Sequence, residues 1–362
     1  MGKLALDEKL ITVYFADMKK NNPLPLLLAV LFSTAALALP SARMDTLPPP
    51  NSVPLSLLSL EPAPSFHKGR FWLVTGSGAA IYSGLSVALW HAWYKGYPLT
   101  SFHTFDDWGE WKNLDKAGHT FSAYIACNYA FQGARWTGMQ RRSAMWTAMG
   151  VGMLLQSTVE VMDGFSEEWG FSVPDMAFNI VGVGLFASQE LLWKEQRILM
   201  KASGIRPAYP KDPLYATDGT AVTTLDQRAA ELYGSSPFHV ILKDYNALTV
   251  WASVNVGSFL KNTNLHKFPP WLNLAIGYGA GNIYGGFENK WTTADGAVFV
   301  LDPVQYPRYQ QFFLSPDIDF SKIPVRSRWA KFALGILNWV KLPAPALEVN
   351  SLGRTRFHYI YW

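Results

Sequence analysis

Along residues 113–185, three apolar segments each carry a small polar cluster at one end. The first, NLDKAGHTFSAYIACNYAF, opens on Asp115, Lys116 and His119. The second, SAMWTAMGVGMLLQSTVEVMDG, closes on Glu160 and Asp163. The third, SVPDMAFNIVGVGL, opens on Asp175 and Asn179. Asp115 and His119 are four residues apart, as are Asp175 and Asn179, so each pair shares a helix face; Glu160 and Asp163, three apart, are also neighbours. Ser172 as a cap, Pro174 just after it and a carboxylate three residues beyond the cap mark a helix start. Short connections make consecutive helices antiparallel. The start of the first helix, the end of the second and the start of the third then fall at one end of a bundle, where the polar clusters converge. The plainer alternative is three separately solvated helix ends with ordinary capping residues.

Upstream, Phe71–Tyr94 contains no Asp, Glu, Lys or Arg and is long enough to span a bilayer. Its Gly76, Ser77, Gly78, Ser83, Gly84 and Ser86 favour close helix packing. Trp90, Trp93, Tyr94 and Tyr97 suit an interfacial belt. The loop SFHTFDDWGEWKNLDK follows, with His103, Asp106, Asp107, Trp108, Glu110 and Trp111; it reads either as a lid over the convergent site or as a surface loop. The later uncharged runs, Ala117–Ala134, Ser143–Val159 and Met176–Gln189, are shorter, and the last is too short to span a bilayer comfortably. Re-entrant, half-immersed and soluble bundles all stay open.

The resulting fold class is α+β: an N-terminal antiparallel helical bundle, membrane-associated, followed by a β-rich C-terminal part. From Met18, two lysines precede an apolar run, Leu24–Leu39, that contains the small-x-small Ala36-Leu37-Ala38. This is the form of a signal peptide, expected within residues 1–42, with Met18 a second candidate start; an N-terminal membrane anchor is the alternative. No cysteine follows the run, which argues against lipidation there. Residues 43–69 read as an extended Pro/Ser/Leu-rich linker, 70–200 as the helical domain, 201–226 as a Gly/Pro/Asp/Thr linker and 227–362 as the β-rich domain. Strands are expected at Leu248–Val256, Asn273–Gly279, Tyr309–Asp319 and Arg356–Tyr361, and an amphipathic helix at Arg326–Lys341. The alternating ending FHYIYW suits an outer-membrane strand, but four strands are too few for a closed barrel.

Composition sharpens the membrane expectation. Of 362 residues, 49% are hydrophobic and 16% charged, against about 25% charged in ordinary globular chains. Aromatic residues make up 15%. The net charge of +4 is spread along the chain and leaves no nucleic-acid footprint. Cys127, the single cysteine, supports neither an internal disulfide nor a zinc site.

The motifs DKAGH at Asp115–His119, VEVMDG at Val159–Gly164 and FSVPDMAFNIVGVGLF at Phe171–Phe186 resemble the VanZ-like and YfiM-like (DUF2279) families. The resemblance covers roughly Phe71 to Phe186. LKDYN at Leu242–Asn246, WLNLAIGYG at Trp271–Gly279 and KLPAPALE at Lys341–Glu348 are similar to the extension of Bacteroidetes-type DUF2279 members. The resemblance implies a periplasmic lipoprotein, although the missing lipidation cysteine departs from that pattern. It also implies a site, with action on lipid head groups proposed for the wider group.

If the site is catalytic, His119 is the natural general base or nucleophile, with Asp115 to orient it. Glu160 serves as acid or base if burial raises its pKa. Lys116 and two helix N-termini would favour a phosphate, with Asp163, Asp175 and Asn179 completing the substrate-binding set. Glu160, Asp163 and Asp175 offer oxygens to a divalent cation, but no short acidic motif fixes one and no cofactor is assigned. The chain carries no nucleophilic Ser or Cys motif, P-loop or dinucleotide fingerprint. Two functions therefore stand: an exported, periplasm-facing envelope protein acting on phosphate-bearing lipid head groups, or a non-catalytic envelope protein locked by a buried polar network. The expected partners are a membrane lipid and an envelope protein. Inner and outer membrane stay open.

Overall fold

The computed structural model describes residues 57, 59–94, 97–234, 243–260 and 269–362. The expected signal peptide and most of the 43–69 linker lie outside them. The described residues from Leu57 to Trp362 belong to one compact unit.

Helix α1 (Lys68–Leu89) is followed by a π-turn at Trp90–Tyr94. The His67 ring caps α1 by accepting from the Arg70 amide at 3.2 Å. Buried Arg70 donates to the carbonyls of Glu61 and Trp136 and lies over the Trp136 ring, which ties the helix start to the bundle. By length and composition α1 could cross a membrane, and only 6% of its most apolar window is buried. Trp72, Leu73, Ile81 and Leu85 stand exposed along it.

Three long helices follow: α2 (Leu114–Trp136), α3 (Arg141–Gly164) and α4 (Val173–Leu192). The Ser172 hydroxyl accepts from the Asp175 amide at 2.9 Å, and Pro174 sits in the first turn of α4, so the helix start falls where capping chemistry places it. Gly182 lets α4 approach α2 closely: a Cβ there would lie 2.3 Å from the Thr120 carbonyl oxygen.

The remainder is β-rich, and the molecule is α+β. A six-stranded antiparallel sheet has the order β1–β4–β5–β8–β9–β10, formed by β1 (Ile198–Gly204), β4 (Leu248–Val254), β5 (Leu272–Gly281), β8 (Tyr309–Ile318), β9 (Ala344–Asn350) and β10 (Thr355–Tyr361). The short pairs β2 (Leu214–Tyr215) with β3 (Val222–Thr223), and β6 (Lys290–Thr292) with β7 (Val298–Val300), lie outside it, together with α5 (Leu225–Tyr233) and α6 (Arg328–Ile336). In the stretch expected as a linker, Lys201–Gly204 complete β1, which pairs with β4 along its full length. One apolar core joins α2, α3 and α4 to Met200, Val250 and Ala280 of the sheet.

The sheet is curled. Val340, just before β9, bridges Ala202 of β1, and the Tyr361 hydroxyl meets Thr249 Oγ1 at 3.0 Å. The enclosed face mixes a hydrophobic cluster of Trp251, Phe313 and Tyr361 with buried polar groups: Lys201 Nζ lies 3.0 Å from Asp317 Oδ2, both side chains fully buried. Ser253 donates to the same carboxylate, and Lys341 Nζ donates to Ser315. The outward face of β5, β8 and β9 is apolar: Ile276 stands opposite Leu314, and Leu314 opposite Leu347, all exposed.

Candidate functional site

A strained turn introduces the site. Trp111, Lys112 and Asn113 all have left-handed φ, at 49°, 57° and 60°, a region that costs side-chain-bearing residues of order 1–3 kcal/mol each. The C-terminal part holds this turn. The Trp111 amide donates to the Gly286 carbonyl at 2.8 Å. The Trp111 ring stacks on Tyr245 at 4.9 Å, and the Tyr278 hydroxyl donates to the Lys112 carbonyl. Tyr245 belongs to LKDYN and Tyr278 to WLNLAIGYG, so both C-terminal motifs support the start of α2.

From there the chain enters DKAGH. The start of α2, the end of α3 and the start of α4 meet at one end of the bundle. Lys116 is 1% exposed, with its ammonium 2.6 Å from Asp107, 2.8 Å from Asp115 and 2.7 Å from Asp175 Oδ1. Its ammonium is therefore engaged by three carboxylates. Asp115 turns to Lys116 rather than to His119. The groups that face His119 come from the other two helices: Asn179 Oδ1 at 3.1 Å and Glu160 Oε1 at 3.5 Å from Nδ1, and Asp175 Oδ2 at 3.6 Å from Nε2. His119 remains partly open, its side chain 19% exposed. Glu160 is buried, and its Oε2 accepts a long 3.3 Å bond from the Ser172 amide. Asp163 stands apart and accepts from the Tyr94 hydroxyl at 2.6 Å.

Burial without enough cations shapes the electrostatics. Desolvation pushes Glu160 up to about 9, reinforced by Asp175 and Asp163. Asp163 rises to about 7, mainly through burial. Burial also raises Asp175 and Asp115, against the pull of Lys116. For Asp107, burial is outweighed by hydrogen bonds with Asp175, Lys116 and Ser172, and its pKa falls. His119 is lowered to about 4 by desolvation, so at neutral pH it is an uncharged imidazole with a free nitrogen lone pair. Glu110, in the strained turn, is raised to about 7 by burial and by the charge on Asp115.

Asp107 and Ser172 are the participants that helix spacing does not single out. Ser172 Oγ donates to Asp107 Oδ1 at 2.7 Å. The polar loop upstream of DKAGH is sewn onto the α3–α4 connection by Thr100 N to Phe165 O, His103 N to Gly164 O and Phe105 N to Phe171 O. This lays the loop across the site end and turns Asp107 inward. Adjacent aspartates at 106 and 107 were the only signal in the sequence, and they do not say which one folds in.

Among the described residues, two sets of groups could hold a cation: His119, Glu160 and Asp175, or Asp107, Asp115 and Asp175. Lys116 already occupies the second.

No curated protein and no solved structure matches this chain. Residues 105–189 hold every side chain of the site except Tyr94, and this segment matches the DUF2279 family, described as a predicted periplasmic lipoprotein.

Proposed function

We propose that this exported, envelope-facing protein acts on the phosphate-bearing head group of a membrane lipid, by transfer or hydrolysis, at the helix-end site. The observation that carries the reading is His119. It is the partly open member of an otherwise buried group, and it faces Glu160, Asp175 and Asn179 from two other helices. Perturbed titratable groups of different types, gathered at one opening, are the physical mark of a reactive site. The lipid half of the reading draws on the exposed apolar flank of α1 and on the exposed apolar stripe of Ile276, Leu314 and Leu347 on the outward face of the sheet, as on lipid-facing strands.

The test is lipid mass profiling of cells with and without the protein, alongside His119→Ala and Glu160→Gln. Removal of a positioned reacting group should lower turnover by about 10²-fold or more. Identical lipid profiles in all four strains would sink the proposal.

A second reading is favoured by Lys116 and its three carboxylates, which form a buried ionic network joining α2, α4 and the upstream loop. There the cluster locks the bundle and the chain serves an envelope partner without turnover.

A further inference from the structure

The polar end of the bundle holds more carboxylates than cations. Asp107, Asp115 and one oxygen of Asp175 are met by Lys116. Asp175 Oδ2 is left facing His119 Nε2 at 3.6 Å, and Glu160 Oε1 faces Nδ1 at 3.5 Å; neither is a good hydrogen-bond distance. Ligand-type atoms of His119, Glu160 and Asp175 all lie within 4.8 Å of one another. Atoms that share one metal ion at about 2.0–2.2 Å from it sit about 3–4 Å apart, so the three need only small side-chain movements to close on an ion.

Glu160 supplies an independent observation. It is 1% exposed, and its Oε1 has no hydrogen-bond partner. A carboxylate oxygen removed from water and given no donor is costly, and this one lies 3.5 Å from the Nδ1 edge of the imidazole. Lys116 does not serve it. Asn179 Oδ1, 3.1 Å from His119 Nδ1, completes the arrangement. In the tautomer where Nδ1 donates to Asn179, the ring is fixed and Nε2, which faces Asp175, is left with the lone pair; Glu160 Oε1 turns from the Nδ1 edge to join them. An outer partner that orients a ligating histidine is a recurring feature of metal sites.

We infer that His119, Glu160 and Asp175 bind a divalent transition-metal ion of the zinc or manganese class, with Asn179 orienting His119. One nitrogen and two carboxylates suit that class, whereas calcium and magnesium take oxygen shells. The open side of His119 is where a water or a phosphate oxygen would reach the ion. Binding of the ion stands on the geometry alone. Its use rests on the head-group reading, because an acidic site with its lysine fully engaged needs another positive centre to receive phosphate. His119 and Glu160 then act through the ion rather than as free proton carriers.

The test uses the full-length chain in detergent, stripped with EDTA, reloaded with Zn²⁺ or Mn²⁺ alone, dialysed and assayed by elemental mass spectrometry. The expected result is close to one equivalent retained, with affinity reduced at least about tenfold in His119→Ala and Glu160→Gln. Because Glu160→Gln alters a buried cluster, a second measurement uses the unsubstituted protein: pulsed paramagnetic resonance of bound Mn²⁺, with and without ¹⁵N-histidine, should show coupling to one histidine nitrogen. Retention of only a small fraction of an equivalent, or bound Mn²⁺ without histidine coupling, overturns the inference. Lipid turnover that persists in the stripped protein removes the ion and leaves the head-group reading. Stoichiometric ion with no change in any lipid does the reverse.

Discussion

Lys116 is the residue at which charge arithmetic decides most. Its ammonium serves three buried carboxylates at 2.6–2.8 Å. Truncating one partner of a buried ionic cluster costs about 3–5 kcal/mol, because the other charges stay behind in a dry site. Lys116→Met should therefore lower unfolding free energy by about that amount in denaturant titration, a far larger effect than the weakened ligand binding expected of a substrate contact. A Lys116→Met protein of unchanged stability would show that the cluster is hydrated or already neutral. The sequence made the neighbours legible but not the partners. The spacing of Asp115 and His119 does put them on one face of α2, yet Lys116, adjacent in sequence, captures the Asp115 carboxylate. Asp107, from a loop without periodicity, completes the cage. Spacing reports which side chains can meet, whereas charge balance in a desolvated pocket selects which do.

Between elements, close approach and strain carry the site. Gly182 brings α4 against α2, so that Asn179 and His119 meet. Gly182→Ala would force the helices apart, and such overpacking costs about 1–3 kcal/mol; a drop in thermal midpoint checks it. Lys341 tests the buried polar groups inside the sheet. Burial lowers its pKa from 10.5 to about 8, partly offset by Asp317. Between those two pH values the unfolded chain binds more protons than the folded one, so this group makes stability rise with pH across the window and contributes a constant penalty below it. The stability of the wild type relative to Lys341→Met should therefore rise from pH 8 to 10.5; a flat relative stability means Lys341 is solvated. Four strands were readable because β4, β5, β8 and β10 alternate. β1 was hidden because Ile198–Gly204 follows the helix exit directly. β9 was hidden because Pro343 and Pro345 read as breakers, although β9 pairs with β8 only from Leu347 onward.

At the scale of the molecule, the sheet holds an ion pair inside and an apolar stripe outside. Ile276, Leu314 and Leu347 form that stripe across three strands. If the stripe meets acyl chains, Ile276→Lys with Leu314→Lys should weaken co-sedimentation with phosphatidylethanolamine/phosphatidylglycerol vesicles while the fold survives, since a lysine on a lipid face costs up to about 2–4 kcal/mol. Unchanged vesicle binding would assign the stripe to another partner. The α+β class was legible in the sequence because its halves differ in period. The dependence of the DKAGH turn on Tyr245 and Tyr278 was not, because those residues lie more than a hundred positions away and act through ring stacking and a carbonyl contact.

The most direct test pairs thermal stability with lipid turnover in the same His119→Ala and Glu160→Gln proteins. The account predicts that both variants keep a cooperative unfolding transition near that of the wild type while head-group turnover falls by about 10²-fold or more. Loss of the folded state in both variants, with no lipid altered whether the wild-type protein is present or absent, would contradict it and assign the cluster to holding the bundle together.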